Sequence, residues 1–385
     1  MKSKVAVIKC DNYSEENVRA AVQEGIDLLG GISCFVKSEE KILLKPNILV
    51  GDKPERGTTT HPLVLRAVAE VLKVNGASLF YGDSPGIGKP ERVVKQAGYN
   101  DAADALNIEL ADFHTAVKVS FPEAILAKQL FLAKGVLDVD GIVSISKMKT
   151  HGFTRLTGAV KNQFGCVPGL RKAEYHVKMR DIYDFSAVLV DINRYLKPRL
   201  YIMDGIMAME GNSPRGGELV NMKVLLFSTD PVALDTVCCH LIDLDPDFVP
   251  TNKIGTDAGL GTYKKEEIEI VGCDSIDELV NKNLNVTRRP PDRIIQSRAY
   301  PAFLKNYISP RPVTDPQRCV RCGQCVLQCP VDPKALDWPK NIPKQEKPVP
   351  VYDYKRCIRC YCCQEICPEK AITIKVPLLG RLIHR

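Results

Sequence analysis

The chain has 385 residues but no run of 18 or more apolar ones, so no segment reads as a membrane span. Its first residues, MKSKVAVIKC, lack a long apolar stretch followed by a small-residue cleavage site. They read as a first strand and predict a cytoplasmic protein. There is one tryptophan, and the basic stretches hold few interleaved aromatics, which argues against a nucleic-acid surface. A Gly-rich dinucleotide fingerprint is also missing. GDSPGIG (Gly82–Gly88) is a poor match to GxGxxG, so neither NAD nor flavin is indicated. With 45% hydrophobic and 26% charged residues, the composition is that of an ordinary globular protein.

Cysteine, by contrast, is abundant, at fifteen residues. In a large chain without an export signal, cysteines are metal ligands or free thiols more often than disulfides. Cys10, Cys34, Cys166, Cys238, Cys239, Cys273 and Cys362 stand outside any ligand pattern and read as thiols, most of them buried. Positive charge is uneven. Residues 147–180 hold eight Lys/Arg against one acid, Glu174, and residues 288–385 hold nineteen against eight, while the rest is acidic.

Strand and helix patterns alternate over residues 1–287. Val5–Lys9, Lys41–Leu44, Ala77–Tyr81, Gly141–Ser146, Leu200–Met203, Val224–Phe227 and Ile268–Val271 read as short apolar strands. Ser14 reads as an N-cap ahead of Val18, Val22 and Ile26 at helical spacing, and a second helix starts at Thr60 or His61 with Pro62 in its first turn. Helical patterns also cover Ile182–Tyr195 and Pro231–Leu244. The alternation predicts an α/β domain with a layered, largely parallel sheet. A Pro/Arg-rich connector (288–316), a small C-terminal cysteine module (317–376) and a short tail (377–385) follow.

Within the module the spacing is specific. Cys319-x2-Cys322-x2-Cys325-x3-Cys329-Pro330 is repeated as Cys357-x2-Cys360-x2-Cys363-x3-Cys367-Pro368. Both runs match the bacterial ferredoxin pattern for two [4Fe–4S] clusters, in which the fourth cysteine of each run serves the other cluster. Cys319, Cys322, Cys325 and Cys367 are therefore expected to bind one cluster. Cys357, Cys360, Cys363 and Cys329 are expected to bind the other. Zinc, the alternative, usually takes two separated CxxC pairs. Cys362 is an extra thiol beside a ligand and reads as a bystander.

Several motifs follow one another in the large domain: KPN (Lys45–Asn47), TTTHP (Thr58–Pro62), GDSPG (Gly82–Gly86), Ser146–Gly169, Asp204–Gly217 and STDPVALD (Ser228–Asp235). This series resembles the domain of unknown function 362 family, often fused to ferredoxin modules. The resemblance implies a domain arrangement and no particular reaction.

The residues themselves point to an anion site. Lys147, Lys149, His151, Lys161 and Asn162 follow a strand, and a helix is expected to open at Thr154. Cations, hydroxyls and helix N–H groups together attract anions. Lys45, Asn47, Thr60, His61 and Ser84 lie at neighbouring strand–helix junctions, as do Asp83 and Asp204. Lys149, His151, Lys161, Asp83 and Asp204 are the candidate catalytic groups. A mixed metal site from His61, His151 and His176 with Asp83, Asp204 or Glu210 is a weaker alternative. Three functions fit. In one, an iron–sulfur redox protein passes electrons to or from an anionic substrate or cofactor in this pocket. In the second, a carrier docks a redox partner protein and has no substrate of its own. In the third, a non-redox α/β enzyme or cofactor-maturation factor keeps its clusters for structure or sensing.

Overall fold

The computed structural model describes residues 2–169, 171–291, 306–339 and 348–383. Its main body is a mixed sheet built from β1 (Ser3–Lys9), β2 (Lys41–Pro46), β3 (Ser78–Tyr81), β4 (Glu109–Leu110), β7 (Gly141–His151), β8 (Arg155–Thr157), β9 (Leu200–Glu210), β10 (Glu218–Ser228) and β11 (Ile268–Val271). β5 (Ala116–Ser120) and β6 (Gln129–Ala133) form a separate hairpin. The order across the main sheet is β11-β1-β10-β9-β7-β2-β3-β4, with β8 paired to β7. β10 is antiparallel to both its neighbours and β8 to β7, while the remaining pairs are parallel. The fold is α/β with a mostly parallel sheet.

Alternation along β1 shows how the layers form. Ala6 and Ile8 pack into one core with helices Glu15–Leu28 and Pro62–Lys73, while Val5 and Val7 face another with helix Pro231–Leu241. Successive strand residues point to opposite faces, so helices cover both. The helix starts follow local chemistry. Ser14 Oγ accepts the Asn17 amide, His61 Nδ1 the Leu63 amide, and the Asp230 carboxylate the Val232 and Ala233 amides. Among the described residues no helix is long and apolar enough to cross a membrane.

Two expectations change. No helix opens at Thr154. The chain turns after His151 and returns as β8, and the helix begins only at Ala159. Nor does Asp204 end a strand. β9 continues through it to Glu210 and pairs with β10 on the far side of a turn. In both places an apolar strand extends into a polar stretch whose neighbouring strand supplies the hydrogen bonds.

The cysteine module adds β12 (Arg311–Thr314) paired with β15 (Ile372–Lys375), and β13 (Leu336–Asp337) paired with β14 (Val351–Tyr352). Its first strand thus begins inside the stretch read as connector. Most of that connector, residues 292–305, lies outside the described residues, as do 340–347 and the last two residues of the tail.

Candidate functional site

Each cysteine run wraps the same way. Arg321 and Gly323 in the first run, and Arg359 and Tyr361 in the second, have left-handed backbone, and a short helix follows each pair, Gln324–Leu327 or Cys362–Glu365. Cys319, Cys322, Cys325 and Cys367 line one small cavity. Burial, then the neighbouring Cys367, Cys322 and Cys319, pushes the Cys325 thiol up to about 11. Four thiols that oppose each other's ionisation in a shared pocket gain nothing as a protein core. Bound iron would stabilise the thiolates and draw off their protons, so this donor set fits a cluster. The Ala371 amide donates to Cys367 Sγ (3.3 Å) and the Tyr352 hydroxyl to Cys363 Sγ (3.5 Å). Such bonds to sulfur also favour the ionised, metal-bound form.

The module sits on the β9–β10 turn. The Arg215 guanidinium grips both Asp52 oxygens (2.8 and 2.7 Å) and also donates to Gln324 Oε1 and the Ile366 carbonyl. Gln364 Nε2 donates to the Asn212 and Ser213 carbonyls, and Asn212 Nδ2 to the Ile372 carbonyl. Between the two bodies lies a cavity of about 100 Å3. Asp83, Lys161, Lys172 and His176 line it from the α/β domain; Gln328, Cys362 and Glu365 line it from the module.

The expected site residues divide into three groups. Asn47, Asp83, Ser84, Lys161 and Asn162 reach this cavity. Most are already bonded. Asp83 takes Lys45 Nζ (3.0 Å) and the Ile48 and Ser84 amides. Asn162 takes Lys45 Nζ and donates to Ser144 Oγ. Gly165 is needed beside them, because a Cβ there would lie 1.8 Å from Asp83 Oδ1. Lys161 is different, since among the described residues no hydrogen bond or ion pair is formed by its ammonium. Thr157 Oγ1 and His176 Nδ1 are also buried without a partner.

A second group stands behind the wall. Lys149 donates to Asn47 Oδ1 (2.7 Å) and the Thr58 carbonyl (2.8 Å), and Thr60 Oγ1 donates to the Ile145 carbonyl. His151 Nδ1 accepts the Phe153 and Thr154 amides, and its Nε2 faces Glu365 Oε1 at 3.1 Å. Burial and then the Lys161 charge keep His151 below the usual imidazole range, and its Nε2 and Glu365 Oε1, though close, have no hydrogen-bond partner among the described residues. Burial works against ionisation of Glu365; His151 and Lys161 outweigh it and hold the carboxyl at about 2.

The third group is elsewhere. Lys147 Nζ binds Asp204 Oδ2 (2.8 Å) and the Tyr13 hydroxyl (2.7 Å), the Tyr13 hydroxyl donates to Asp204 Oδ1, and the His61 ring stacks on Tyr13 at 3.8 Å. This closed knot contributes no residue to the cavity. Among the described residues no three His, Cys, Asp or Glu side chains converge on a single-ion site. A wider cavity, about 440 Å3, is lined by Gln364, Pro291 and Pro310 among others.

Comparison with known proteins agrees with this layout. Residues 42–240 match the family described as "Domain of unknown function (DUF362)", and residues 311–371 match a 4Fe-4S dicluster domain. The chain belongs to the DUF362 family. Among its relatives, the thylakoid-associated protein sll1697 of Synechocystis sp. is 35% identical over 252 residues, which is 65% of this chain and 78% of that one. Two solved structures are more distant. The lactate racemase apoprotein of Thermoanaerobacterium thermosaccharolyticum is 13% identical with a TM-score of 0.40, over 59% of this chain and 55% of that one. A Thermotoga maritima protein is 14% identical with a TM-score of 0.34, over 60% of this chain and 59% of that one. This chain therefore spans a little over half the length of those two structures. Within the matched residues, KPN ends β2, GDSPG carries Asp83 and Ser84 to the cavity, and NSPRG lies in the turn that grips the module.

Sequence reasoning missed Glu365 and Cys362 as cavity residues. A signal was present in the repeat. Leu327 holds the corresponding place in the first run and is 70% exposed, whereas Glu365 lies against the α/β domain.

Proposed function

We propose that this DUF362-family protein holds two [4Fe–4S] clusters, on Cys319, Cys322, Cys325 and Cys367 and on Cys357, Cys360, Cys363 and Cys329. We propose also that it exchanges electrons with a small anion bound between its two bodies. One observation carries this reading: the cavity lined by the unpartnered Lys161 is also lined by Cys362 and Gln328, each adjacent in sequence to a ligand cysteine. When bound, the clusters supply single electrons. The chain supplies the rest. Lys161 and Lys172 attract the anion, Asp83 and Asn162 hold Lys45 in the wall, and the module closes the far side against water. The other free thiols suit a reducing, cytoplasmic setting.

Lys161→Ala should weaken acetate binding about tenfold or more, the worth of a charge-assisted hydrogen bond. Calorimetry on anaerobically purified protein measures this, with iron content unchanged as the control. Equal affinity in the two proteins would remove the anion site.

Binding should also depend on pH. Burial is the main cause that lowers Lys172 to about 8; for Lys149 burial, with Lys161 and Lys147 nearby, lowers it to about 7. An anion favours the charged form of both. Acetate should therefore take up protons on binding, and its affinity should rise as pH falls from above 8 to about 7. Titrations in buffers of different ionisation enthalpy report the proton uptake; a flat profile over that range would contradict it.

A specific feature also favours a protein partner at the other cluster. Cys322 is exposed, and Val320 beside it is 58% exposed. This face offers a redox partner an approach to the first run while the second faces the cavity.

A further inference from the structure

Lys161 and Glu365 line the same cavity, yet no ion pair within 4.0 Å joins them among the described residues. Opposite charges this buried would ordinarily close on each other, since attraction is strong where water is scarce. Here two different bodies hold them apart. Lys161 is fixed by the helix Ala159–Asn162, and Glu365 by the module's helix Cys362–Glu365. His151 Nε2 lies 3.1 Å from Glu365 Oε1, yet neither atom makes a hydrogen bond among the described residues. No hydrogen bond is made by the other carboxylate oxygen either, so Glu365 brings free acceptor capacity to the cavity. Two further groups in the cavity, Thr157 Oγ1 and His176 Nδ1, are unpartnered in residues only 4% and 9% exposed. Unmade hydrogen bonds at such depth cost free energy and call for a ligand or ordered water.

We propose that the ligand is a small anion that also carries a hydroxyl group, its anionic end on Lys161 and its hydroxyl donating to Glu365. This rests on the reading of the cavity as an anion site. The size agrees. A volume of about 100 Å3 holds several waters and lies well below the roughly 300–1,000 Å3 of sites for larger ligands. The donor is a hydroxyl and not an ammonium because Lys161 and Lys172 both line the same cavity. The site is incomplete without the cysteine module, which contributes the acceptor. Glu365 is thus a specificity residue.

Glycolate and acetate separate the two ideas, because they differ only by a hydroxyl. Calorimetry on the anaerobically purified full chain should show glycolate binding about tenfold or more tighter than acetate. Glu365→Gln and Glu365→Leu, the latter carrying the residue of the first run, should bring the ratio toward one with iron content unchanged. Using two variants guards against a local failure to fold. Equal affinity for the two acids, with the Lys161 dependence intact, would overturn the assignment to Glu365 alone. A preference for glycolate that survives both substitutions would do the same. Acetate binding indifferent to Lys161→Ala, or no binding of either acid, would overturn the anion site and this inference with it.

Discussion

Cys329→Ser should remove the cluster held by the second cysteine run and spare the one held by its own. The chain should retain about four irons of about eight, and one of two reduced electron paramagnetic resonance signals should vanish. The reason lies in the cavity that Cys367 shares with Cys319, Cys322 and Cys325. Cys367 belongs to the second run by sequence and to the first by position. Both runs share the same left-handed residues and short helix, so Cys329 should serve the second run reciprocally. Cys362→Ala is the matching control. Cys362 lines the cavity between the two bodies, so its removal should leave the iron count unchanged. If Cys329→Ser instead emptied the first run, the crossed assignment would be wrong. If Cys362→Ala halved the iron, the ligand register would be shifted.

Asp204→Ala should destabilise the α/β domain by about 3–5 kcal/mol, the usual cost of breaking a buried ion pair from one side. Both Lys147 and Asp204 are essentially inaccessible to solvent. Burial pushes the Lys147 ammonium below its ordinary range, and Asp204 is what offsets this. Without the carboxylate the lysine must lose its proton or carry an unpaired charge. The Tyr13 hydroxyl and the His61 amide also lose an acceptor. The shift is read as a fall in the urea midpoint. Because the knot lies away from the cavity, acetate affinity of the folded variant should not change. A stability loss under about 1 kcal/mol would show that the knot does not hold β9 to the helix at Pro62, and a large loss of acetate affinity would return Asp204 to the candidate site.

Much of this was legible before any coordinates. Cysteine spacing is a direct record of ligand geometry, because it reflects short covalent reach. Ser14 and Pro62 marked helix starts because caps act within a few residues. The stretch from Lys147 to Thr157 misled for an equally physical reason. Lys147, Lys149 and His151 alternate with Met148 and Thr150, which is the period of a strand, and Met148 enters the apolar core. Their charge suggested a shared anion site, but Lys147 and Lys149 each find a buried partner supplied from a distant part of the chain: Asp204 for one, Asn47 and the Thr58 carbonyl for the other. Such pairing leaves no local trace. The same holds for Glu365, whose neighbours in sequence are the cysteines of the second run and whose neighbours in space are His151 and Lys161. A basic segment was therefore recognisable from charge alone, while the division between wall, brace and free cation was not.

If the anion site and the second-run cluster adjoin, the electron paramagnetic resonance spectrum of the reduced protein, recorded with and without acetate at the saturation fixed by calorimetry, should report it. One of the two cluster signals should change in line shape on adding acetate, and the change should be absent in Lys161→Ala at the same concentration. Two signals indifferent to saturating acetate would contradict the claim.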